Sequence, residues 1–481
     1  MPWRLAPALL IVGTAGAASA APARTDWPSF RGDPQNSGFI RLRTAAPRKI
    51  EAWRFQAGSH VWGYQPGMTV WSSPAVGLVK GDPVLFVGSY DHNVYALDAR
   101  TGRRRWRFTT GGGVYSAPVL WRQLVFAAAS DRMVYALDAD EGSRRWIHTV
   151  QTWRPTIGGA RLASPCVGRV GPKDALFVGH WVWDKSLSGH LQAGGVTALD
   201  ALSGRRLWTA ALGDNQVSSP VYADTAGGQR LFIASENGNL YALDARDGRV
   251  LWTHTERDAI KGSPALVRAA AGMRVVIGSK FGLVRCFDAE RGTPIWTFKT
   301  GHWVDGSPAV SLHGPRPVVH VGSYDTRLYA LDAETGAPLW SYRTAGGIYS
   351  SPALAPGKRP RVLVMSWDHH LHCVAGEDGS LLWSAFIGRP IWDSISLGDS
   401  IWSSPVVAEI DGQQVAYVGS YAGPLYAIPL AEAAEEALAR PSSNIDFWLT
   451  MPLVLLIVTA MTLLVTRRHR RRKLLGQRPG H

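Results

Sequence analysis

Aromatic residues with charged neighbours recur in the longest segments that lack the alternation of a β-strand, and Trp303 and Asp305 lie in a shorter segment of the same kind. Trp, Tyr and Arg dominate the hot spots of interfaces, and loop residues often carry function. These segments therefore predict a recognition surface for a partner or ligand. Its predicted members are Trp62, Tyr64, Trp71, Trp153, Arg154, Trp181, Trp183, Asp184, Trp303, Asp305, Trp392, Asp393 and Trp402.

Other patterns that suggest chemistry are weaker. The run Asp368-His369-His370-Leu371-His372-Cys373 resembles a metal-binding segment, but it aligns with Asp91-His92-Asn93-Val94-Tyr95, which favours a turn that leads into a strand. No Ser-His-Asp order, phosphate-binding loop or carboxylate pair stands out. The sequence therefore indicates no catalytic residue and no metal site.

The framework that must position these side chains is an internal repeat. A proline preceded by Ser or Ala recurs at intervals of 44, 47, 55, 44, 44, 44 and 53 residues. The unit contains four short apolar runs separated by turn residues, which is typical of a propeller blade. The prolines are Pro74, Pro118, Pro165, Pro220, Pro264, Pro308, Pro352 and Pro405.

A tryptophan on the fourth strand closes each repeat and is predicted to be a structural docking residue. Trp53 precedes the first proline, so an N-terminal strand is expected to complete the last blade, and ring closure removes open sheet edges. The sequence predicts an all-β, eight-bladed β-propeller closed by this strand. The predicted docking residues are Trp53, Trp106, Trp146, Trp208, Trp252, Trp296, Trp340 and Trp383.

The run Ala96–Gly102 followed by Trp106, with copies at Ala242–Trp252 and Ala330–Trp340, resembles the docking motif of the pyrroloquinoline-quinone (PQQ) repeat. The opening segment Asp26–Asp33 is also similar to that of PQQ-like propeller proteins. The resemblance covers roughly residues 26–430 and implies a quinoprotein dehydrogenase-like fold. It implies two kinds of function, because this fold serves both dehydrogenases and scaffolds such as the propeller lipoprotein of outer-membrane β-barrel assembly.

A dehydrogenase of this family would be expected to show an adjacent Cys-Cys pair and a Glu, Asn and Asp set around calcium. The sequence has three cysteines, none of them adjacent, and no acidic cluster at a spacing that would supply six to eight oxygen ligands. Trp153 and Arg154 could stack on a quinone and pair with its carboxylate. We therefore expect no cofactor, with PQQ and calcium as the alternative.

The aromatic segments are predicted to share one face of the propeller. In an antiparallel blade with strands A to D, the B–C turn and the link from D to the next A lie on the same face. The Trp-to-Pro link is 12 residues in five units but 21, 19 and 22 in three others, and the B–C turn is enlarged at 180–195. All four enlargements belong to that face. The alternative to recognition is that these loops only plug the channel mouth.

The two ends of the chain predict export and a membrane anchor. Residues 1–20 read as a signal peptide, and 26–430 as the propeller. A linker at 431–445 leads to a predicted transmembrane helix at 446–466, followed by a basic tail at 467–481 that is expected to stay cytoplasmic. The expected location is the bacterial inner membrane, as a single-pass protein with its propeller in the periplasm.

The formal net charge of +14 includes seven basic residues in the tail, so the propeller itself is only mildly basic and no nucleic-acid partner is expected. The leading functional prediction is a non-catalytic scaffold that binds a protein or envelope component through the loop-bearing face. One alternative is a PQQ-dependent quinoprotein oxidoreductase acting on alcohols or sugars. Another is the sensor ectodomain of a membrane complex.

Overall fold

The computed structural model describes residues 30–34, 36–44, 49–57, 70, 72–150, 160–183, 192–213, 218–311, 316–387, 403–419 and 424–430. Over these ranges the regular secondary structure is β-strand, with no helix long and apolar enough to cross a membrane. The predicted signal peptide, linker, transmembrane helix and tail lie outside the described residues.

The strands are short and bounded by turns, as the repeat predicts. In chain order they are β1 (Phe39–Leu42), β2 (Trp53–Phe55), β3 (Ala75–Val79), β4 (Asp82–Gly88), β5 (Asn93–Asp98), β6 (Arg104–Thr109), β7 (Val119–Trp121), β8 (Leu124–Ala128), β9 (Met133–Asp138), β10 (Arg144–Thr149), β11 (Ala160–Leu162), β12 (Cys166–Val170), β13 (Lys173–Trp183), β14 (Gln192–Asp200), β15 (Arg206–Gly213), β16 (Val221–Thr225), β17 (Gly228–Ala234), β18 (Asn239–Asp244), β19 (Val250–Thr255), β20 (Ala265–Ala269), β21 (Gly272–Gly278), β22 (Leu283–Asp288), β23 (Pro294–Lys299), β24 (Ala309–Ser311), β25 (Val318–Gly322), β26 (Arg327–Asp332), β27 (Pro338–Arg343), β28 (Ala353–Ala355), β29 (Arg361–Met365), β30 (His370–Ala375), β31 (Leu381–Phe386), β32 (Val406–Ile410), β33 (Gln413–Gly419) and β34 (Leu425–Pro429).

These strands form eight sheets, so the predicted all-β, eight-bladed propeller is confirmed. Blade 1 is β3–β6, blade 2 is β7–β10, blade 3 is β11–β15, blade 4 is β16–β19, blade 5 is β20–β23, blade 6 is β24–β27, blade 7 is β28–β31, and blade 8 combines β32–β34 with β1 and β2. The first strands of neighbouring blades contact one another, and they therefore surround the central channel.

The ring closes through the N-terminal segment, as predicted. Strand β2 pairs antiparallel with β34, in a register that sets Trp53 opposite Ala427 and Phe55 opposite Leu425. Blade 8 thus takes its outermost strand from the start of the chain and its other three antiparallel strands from the end of the repeat. This pairing covers the edge that β34 would otherwise expose.

A second N-terminal strand, which sequence analysis did not predict, lies inside the ring. Strand β1 pairs in parallel with β32, the innermost antiparallel strand of blade 8. Residues 30–44, which we call the channel strap, also reach other blades: the Leu266 amide donates to Pro34 O at 2.7 Å and the Leu354 amide donates to Ser37 O at 2.8 Å. The strap therefore spans the channel between blades 5, 7 and 8.

Seven of the tryptophans predicted to dock make the same contact with the next blade. Each indole Nε1 donates to a backbone carbonyl at 2.9–3.2 Å, and each ring packs on a glycine with positive φ. The acceptors are Ala99 for Trp53, Ala139 for Trp106, Ala201 for Trp146, Ala245 for Trp208, Ala289 for Trp252, Ala333 for Trp296 and Gly376 for Trp340.

Trp383 differs from these seven residues. The equivalent acceptor in blade 8 is the carbonyl of Leu430, and the guanidinium of Arg361 donates to it instead. Within the described ranges Trp383 makes no indole hydrogen bond of the docking type, and it packs beside the apolar core of blades 7 and 8. The sequence after strand C of blade 8 contains no glycine at the positions where the other blades supply the glycine that receives the ring.

Serines beside the repeated prolines form a belt around the channel. The amide of each serine donates to the hydroxyl of the equivalent serine in the next blade, at 2.8–3.0 Å. The chain of bonds runs from Ser219 through Ser263, Ser307, Ser351 and Ser404 to Ser73. The belt links blades 4 to 8 to blade 1 and fixes the height at which each D–A link enters the channel wall.

Candidate functional site

The B–C turns and the D–A links meet on one face, which confirms the predicted assignment. The amide of Val304, in the link after blade 5, donates to Ser279 O in the B–C turn of that blade at 3.1 Å. The amide of Tyr324, in the B–C turn of blade 6, donates to Trp303 O at 2.9 Å. The same pattern joins the described turns and links at blades 1 and 2 and at blades 4 to 7, and we call this hydrogen-bonded face the rim.

Five aromatic or imidazole rings gather on the rim at blades 5 to 7, and we call them the rim cluster: His302, Trp303, Tyr324, Tyr349 and Trp367. The ring centroids of Trp303 and Tyr324 are 5.6 Å apart, and those of Tyr324 and Trp367 are 5.0 Å apart in a T-shaped contact. Trp303 is 41% exposed and Trp367 is 48% exposed. The cluster therefore presents two large indole faces to solvent while its rings support one another.

A carboxylate lies at the inner edge of this cluster. The Oδ1 atom of Asp305 is buried and has no hydrogen-bond partner among the described residues. Burial raises the pKa of the Asp305 carboxyl, whereas the ammonium groups of Lys261 and Lys280 and a hydrogen bond with the Tyr324 side chain lower it, so that the net pKa remains raised. A buried acceptor without a partner is costly.

The lysines beside this carboxylate have partners of their own. Lys280 Nζ lies 4.9 Å from the centroid of the Trp303 ring, within the range of a cation–π contact. Lys261 Nζ lies 3.7 Å from a carboxylate oxygen of Glu236. Two cations and two carboxylates therefore share this sector of the rim.

The channel strap crosses the channel beneath the rim. The guanidinium of Arg31 is fully buried and donates to the carbonyls of Pro352 and Pro405, on blades 7 and 8. Asn36 Nδ2 donates to Pro264 O on blade 5 at 2.9 Å. Burial lowers the pKa of Arg31 to about 9, against the opposing effect of Asp33. These prolines stand three residues after the rim positions Tyr349 and Lys261, so the strap crosses just below the rim.

The described part of the predicted surface is divided between two regions. Trp303 and Asp305 come together in the rim cluster. Trp181 lies on β13 of blade 3. This strand continues to Trp183, and its last residues pair with β11 on one side and with β14 on the other. The enlarged B–C turn is thus partly an extended hairpin. The remaining predicted residues lie outside the described residues: Trp62, Tyr64, Trp71, Trp153, Arg154, Asp184, Trp392, Asp393 and Trp402.

Several rim residues were not among the predicted surface residues. Tyr324 and Trp367 follow a serine in the B–C turns of blades 6 and 7, at the position of Lys280 in blade 5. Lys261 and Tyr349 hold the position of Asp305 in neighbouring links. Loop enlargement did not point to these residues, because both positions belong to links and turns of ordinary length. A comparison of the repeats at these two positions would have revealed them.

The His-rich run of blade 7 is a hydrogen-bonded turn. His372 Nε2 lies 2.9 Å from Asp368 Oδ2, and its Nδ1 lies 3.0 Å from the hydroxyl of Tyr342. Burial raises the pKa of Asp368, but the interactions with His372 and the backbone hydrogen bonds from His370 and Ala345 together outweigh burial and lower this pKa to about 2. In the equivalent turn of blade 6, Tyr329 donates to Asp325 at 2.8 Å, so His372 takes the place of a tyrosine.

The described residues do not fit the calcium site that a PQQ enzyme would need. Within these ranges, no group of three or more His, Cys, Asp or Glu side chains is arranged to hold a metal ion. Calcium requires six to eight oxygen ligands. Two carboxylates of the rim, Asp305 and Glu236, are instead adjacent to lysines, and Asp325 and Asp368 accept hydrogen bonds within their own turns.

The fold and the rim define the chain as an eight-bladed propeller of PQQ-like repeats with an aromatic and charged cluster on the loop face. The family model described as outer membrane protein assembly factor BamB, a PQQ-like repeat family, matches residues 49–180, 192–269 and 261–462. The match covers more than half of the chain, and the chain belongs to this family.

Individual relatives match only short segments. Quinoprotein alcohol dehydrogenase PedE of Pseudomonas putida is 36% identical over 66 residues, which is 14% of this chain and 10% of the relative. A quinoprotein ethanol dehydrogenase of Pseudomonas aeruginosa is 31% identical over 67 residues, with the same shares of both chains. The chain thus spans about a tenth of the length of the curated relatives it matches.

Solved structures share the fold at low identity. The quinohemoprotein alcohol dehydrogenase from Comamonas testosteroni has a TM-score of 0.57 at 16% identity, over 84% of this chain and 80% of that chain. The computationally designed Ika8 protein has a TM-score of 0.54 at 15% identity, over 76% of this chain and 97% of that chain. At such identities the likeness shows the fold alone.

Proposed function

We propose that this protein is a non-catalytic binding propeller that captures a protein or another cell-envelope component through its rim. One observation carries the proposal: Trp303 and Trp367 are 41% and 48% exposed beside a buried carboxylate oxygen that has no partner among the described residues. Exposed indoles around a desolvated polar group are the usual anatomy of a binding hot spot.

The strap supports binding from above the rim. It crosses the channel below the rim and buries the Arg31 side chain against blades 7 and 8. A ligand of the rim cluster would thus rest on a floor that the chain itself supplies. Membership of the assembly-factor family is consistent with a scaffold, because a scaffold needs a stable surface and no reactive group.

The location proposed for this function is the periplasmic side of the inner membrane. Signal peptide 1–20 and span 446–466 would export and tether the propeller, with tail 467–481 in the cytoplasm. A reporter that is active only in the cytoplasm should work when fused after His481 and fail when fused after Leu430. The opposite pattern would contradict this topology.

The binding function is tested by capture from an envelope extract. The full-length protein should retain its partner on an affinity column, and the double variant Trp303→Ala/Trp367→Ala should lose it. The control is Tyr90→Ala/Tyr115→Ala, an aromatic pair at another sector of the rim: Tyr90 holds the turn position of Trp367 at blade 1, and Tyr115 lies in the link after that blade. The variant Trp62→Ala/Trp183→Ala/Trp392→Ala tests the rest of the predicted surface. Equal capture by all variants would refute a role for the rim.

A second candidate is a PQQ-dependent oxidoreductase, favoured by the 31–36% identity of short segments to quinoprotein dehydrogenases. Residues outside the described ranges, such as Trp153 and Arg154, would then have to complete the cofactor site. The purified protein should in that case acquire quinone absorbance when incubated with PQQ and calcium, and should reduce an electron acceptor when given alcohols or sugars. Absence of both signals would exclude this candidate.

A further inference from the structure

The outer edge of the ring on the face opposite the rim is basic in one sector only. In blades 1 to 7, three residues separate the glycine of the C–D turn from the tryptophan of strand D, the outermost strand of the blade. The number of arginines among them is three in blade 1, two in blades 2 and 3, one in blade 4 and none in blades 5 to 7. Positive charge is therefore concentrated at this edge of blades 1 to 3. The triplets are Arg103–Arg105, Ser143–Arg145, Arg205–Leu207, Arg249–Leu251, Thr293–Ile295, Ala337–Leu339 and Ser380–Leu382.

Four of these arginines are exposed and take part in no ion pair within the described ranges, and we call them the basic edge: Arg103, Arg104, Arg144 and Arg205. The carboxylates on the same face of blades 1 to 3 are matched by other cations. The matches are Asp82 and Asp98 with Arg105, Asp138 with Arg145, Asp140 with Lys80, Asp174 with Arg122, Asp200 with Lys173, and Glu141 with both Lys80 and Arg145. The other two carboxylates described in these blades, Asp91 and Asp131, belong to turns of the rim. The basic edge is therefore a local surplus of positive charge.

An exposed apolar side chain accompanies these arginines. Leu202 lies in the C–D turn of blade 3 and is 62% exposed, a larger fraction than that of either rim indole. In the adjacent blade, Val250 begins β19 directly after Arg249 and is 41% exposed. A partner of this edge must accept guanidinium groups and apolar side chains side by side.

The chain leaves the propeller on the same face. Leu430 follows β34, which is strand C of blade 8, and its carbonyl accepts a hydrogen bond from Arg361, which begins strand B of blade 7. Strands C end and strands B begin on the face of the A–B and C–D turns. From Leu430 the chain continues toward a segment that the sequence predicts to span the membrane.

We propose that the basic edge binds the anionic headgroups of a phospholipid bilayer, with Leu202 in the interfacial layer. Basic side chains next to exposed apolar ones are typical of surfaces that lie on an anionic membrane. The arginines are spread over the outer wall of three blades, and mobile headgroups can reach all of them, whereas an acidic protein would need carboxylates at matching positions. The inference rests on the proposed location and does not involve the rim.

The test uses the full-length protein in nanodiscs, with an NBD fluorophore on Ser143→Cys, because NBD emission rises on contact with lipid. Ser143 is exposed beside Arg144, and the three native cysteines are buried. We expect emission about twofold higher in nanodiscs that contain phosphatidylglycerol than in nanodiscs of phosphatidylcholine alone. Salt at about 0.5 M should remove this difference, because it shortens the Debye length to about 4 Å. The control label, on Ala345→Cys at the exposed rim link after blade 6, should show no difference.

Variants assign the effect to the basic edge. In the labelled Ser143→Cys protein, Arg104→Gln/Arg144→Gln/Arg205→Gln should abolish the difference between the two lipids. The matched control Arg107→Gln/Arg257→Gln/Arg343→Gln removes the same number of exposed charges from strand D and rim positions away from the C–D turns, and should retain the difference. Leu202→Ser should reduce the emission in phosphatidylglycerol nanodiscs. Circular dichroism and the melting temperature verify that each variant is folded.

Three results would overturn the inference. The first is equal emission in both lipids, and the second is a difference that survives Arg104→Gln/Arg144→Gln/Arg205→Gln. The third is a rise with polyglutamate in phosphatidylcholine nanodiscs but none with phosphatidylglycerol, which would assign the edge to acidic proteins. If the reporter fusions contradict the proposed topology, an emission rise that depends on phosphatidylglycerol would still support the lipid surface, so the two proposals fail separately.

Discussion

Two tryptophans seven residues apart in the sequence, Trp296 and Trp303, have opposite environments. Trp296 lies on β23, is 8% exposed, and donates its Nε1 to Ala333 O in the next blade at 3.0 Å. Trp303 lies in the link that follows, is 41% exposed, and contacts His302, Tyr324 and Lys280. The comparison shows that position within the blade, not residue type, decides whether an indole holds the ring together or faces solvent.

The reason for the difference is the surface that each side chain meets. A strand D side chain that points toward the next blade meets the turn at Gly336, where an added Cβ would lie only 2.6 Å from the Trp296 ring. A link side chain meets only the neighbouring B–C turn on the rim. Docking therefore requires a matching glycine, while the rim tolerates varied residues.

The largest expected effect comes from removing a docking tryptophan together with its strand. Deletion of residues 50–55 removes Trp53 and β2, and leaves β34 as an open edge. We expect the deletion product to aggregate, which light scattering measures. We also expect it to lose cooperative unfolding, which thermal denaturation measures. A monomeric deletion product of unchanged stability would show that β2 does not close the ring.

Substitution of single tryptophans separates the two environments directly. Trp296→Ala and Trp340→Ala should each lower the free energy of unfolding by about 3–5 kcal/mol, because each removes a large side chain packed between blades. Denaturant titration of the full-length protein measures the loss. An unfolding midpoint equal to that of the parent protein would contradict the docking role.

A smaller effect concerns the strand B residue that packs on the docking ring. Phe86, Phe126, Phe177 and Phe232 hold this position in blades 1 to 4, whereas His320 holds it in blade 6, 5.6 Å from the Trp340 ring. Burial lowers the pKa of His320 to about 3, and its Nδ1 has no partner among the described residues. The imidazole is therefore neutral in the folded protein and protonates on unfolding below about pH 6.5.

The direction in which stability changes with pH follows from proton binding. The unfolded state binds the extra proton, so stability falls by about 1.4 kcal/mol per pH unit as the pH drops from about 6.5 toward 3. His320→Phe should remove this slope, with part of the acid sensitivity left to His180, whose pKa burial lowers to about 4. Unfolding free energies at pH 5 and pH 7 measure the change. An unaltered slope would mean that His320 is not the titrating group.

The smallest effect on stability is expected at the rim. Trp303→Ala and Trp367→Ala should change the free energy of unfolding by no more than about 0.5 kcal/mol, because both rings are exposed and neither bridges two blades through a docking bond. The same variants should lose ligand capture. A loss of stability comparable to that of Trp296→Ala would indicate that the rim cluster is structural.

The sequence predicted the framework because that framework is local and repeated. The period of the prolines, the four apolar runs per unit and the tryptophan at the end of each unit are all visible within about one blade of chain. Ring closure was predictable because Trp53 lies on a strand before the first repeat, while the last repeat lacks its fourth strand. The face of the B–C turns and D–A links followed from antiparallel geometry.

Only the tertiary structure decided what fills the channel and where the binding surface is densest. The strap at 30–44 has no period, and its partners Pro264, Pro352 and Pro405 are brought near it only when the ring closes. The rim cluster joins turns and links of blades 5 to 7, whose spacing in the chain is ordinary. Burial of Asp305 Oδ1 and exposure of Trp303, two residues away, depend on neighbours from other blades, and a single sequence does not specify such contacts between distant segments.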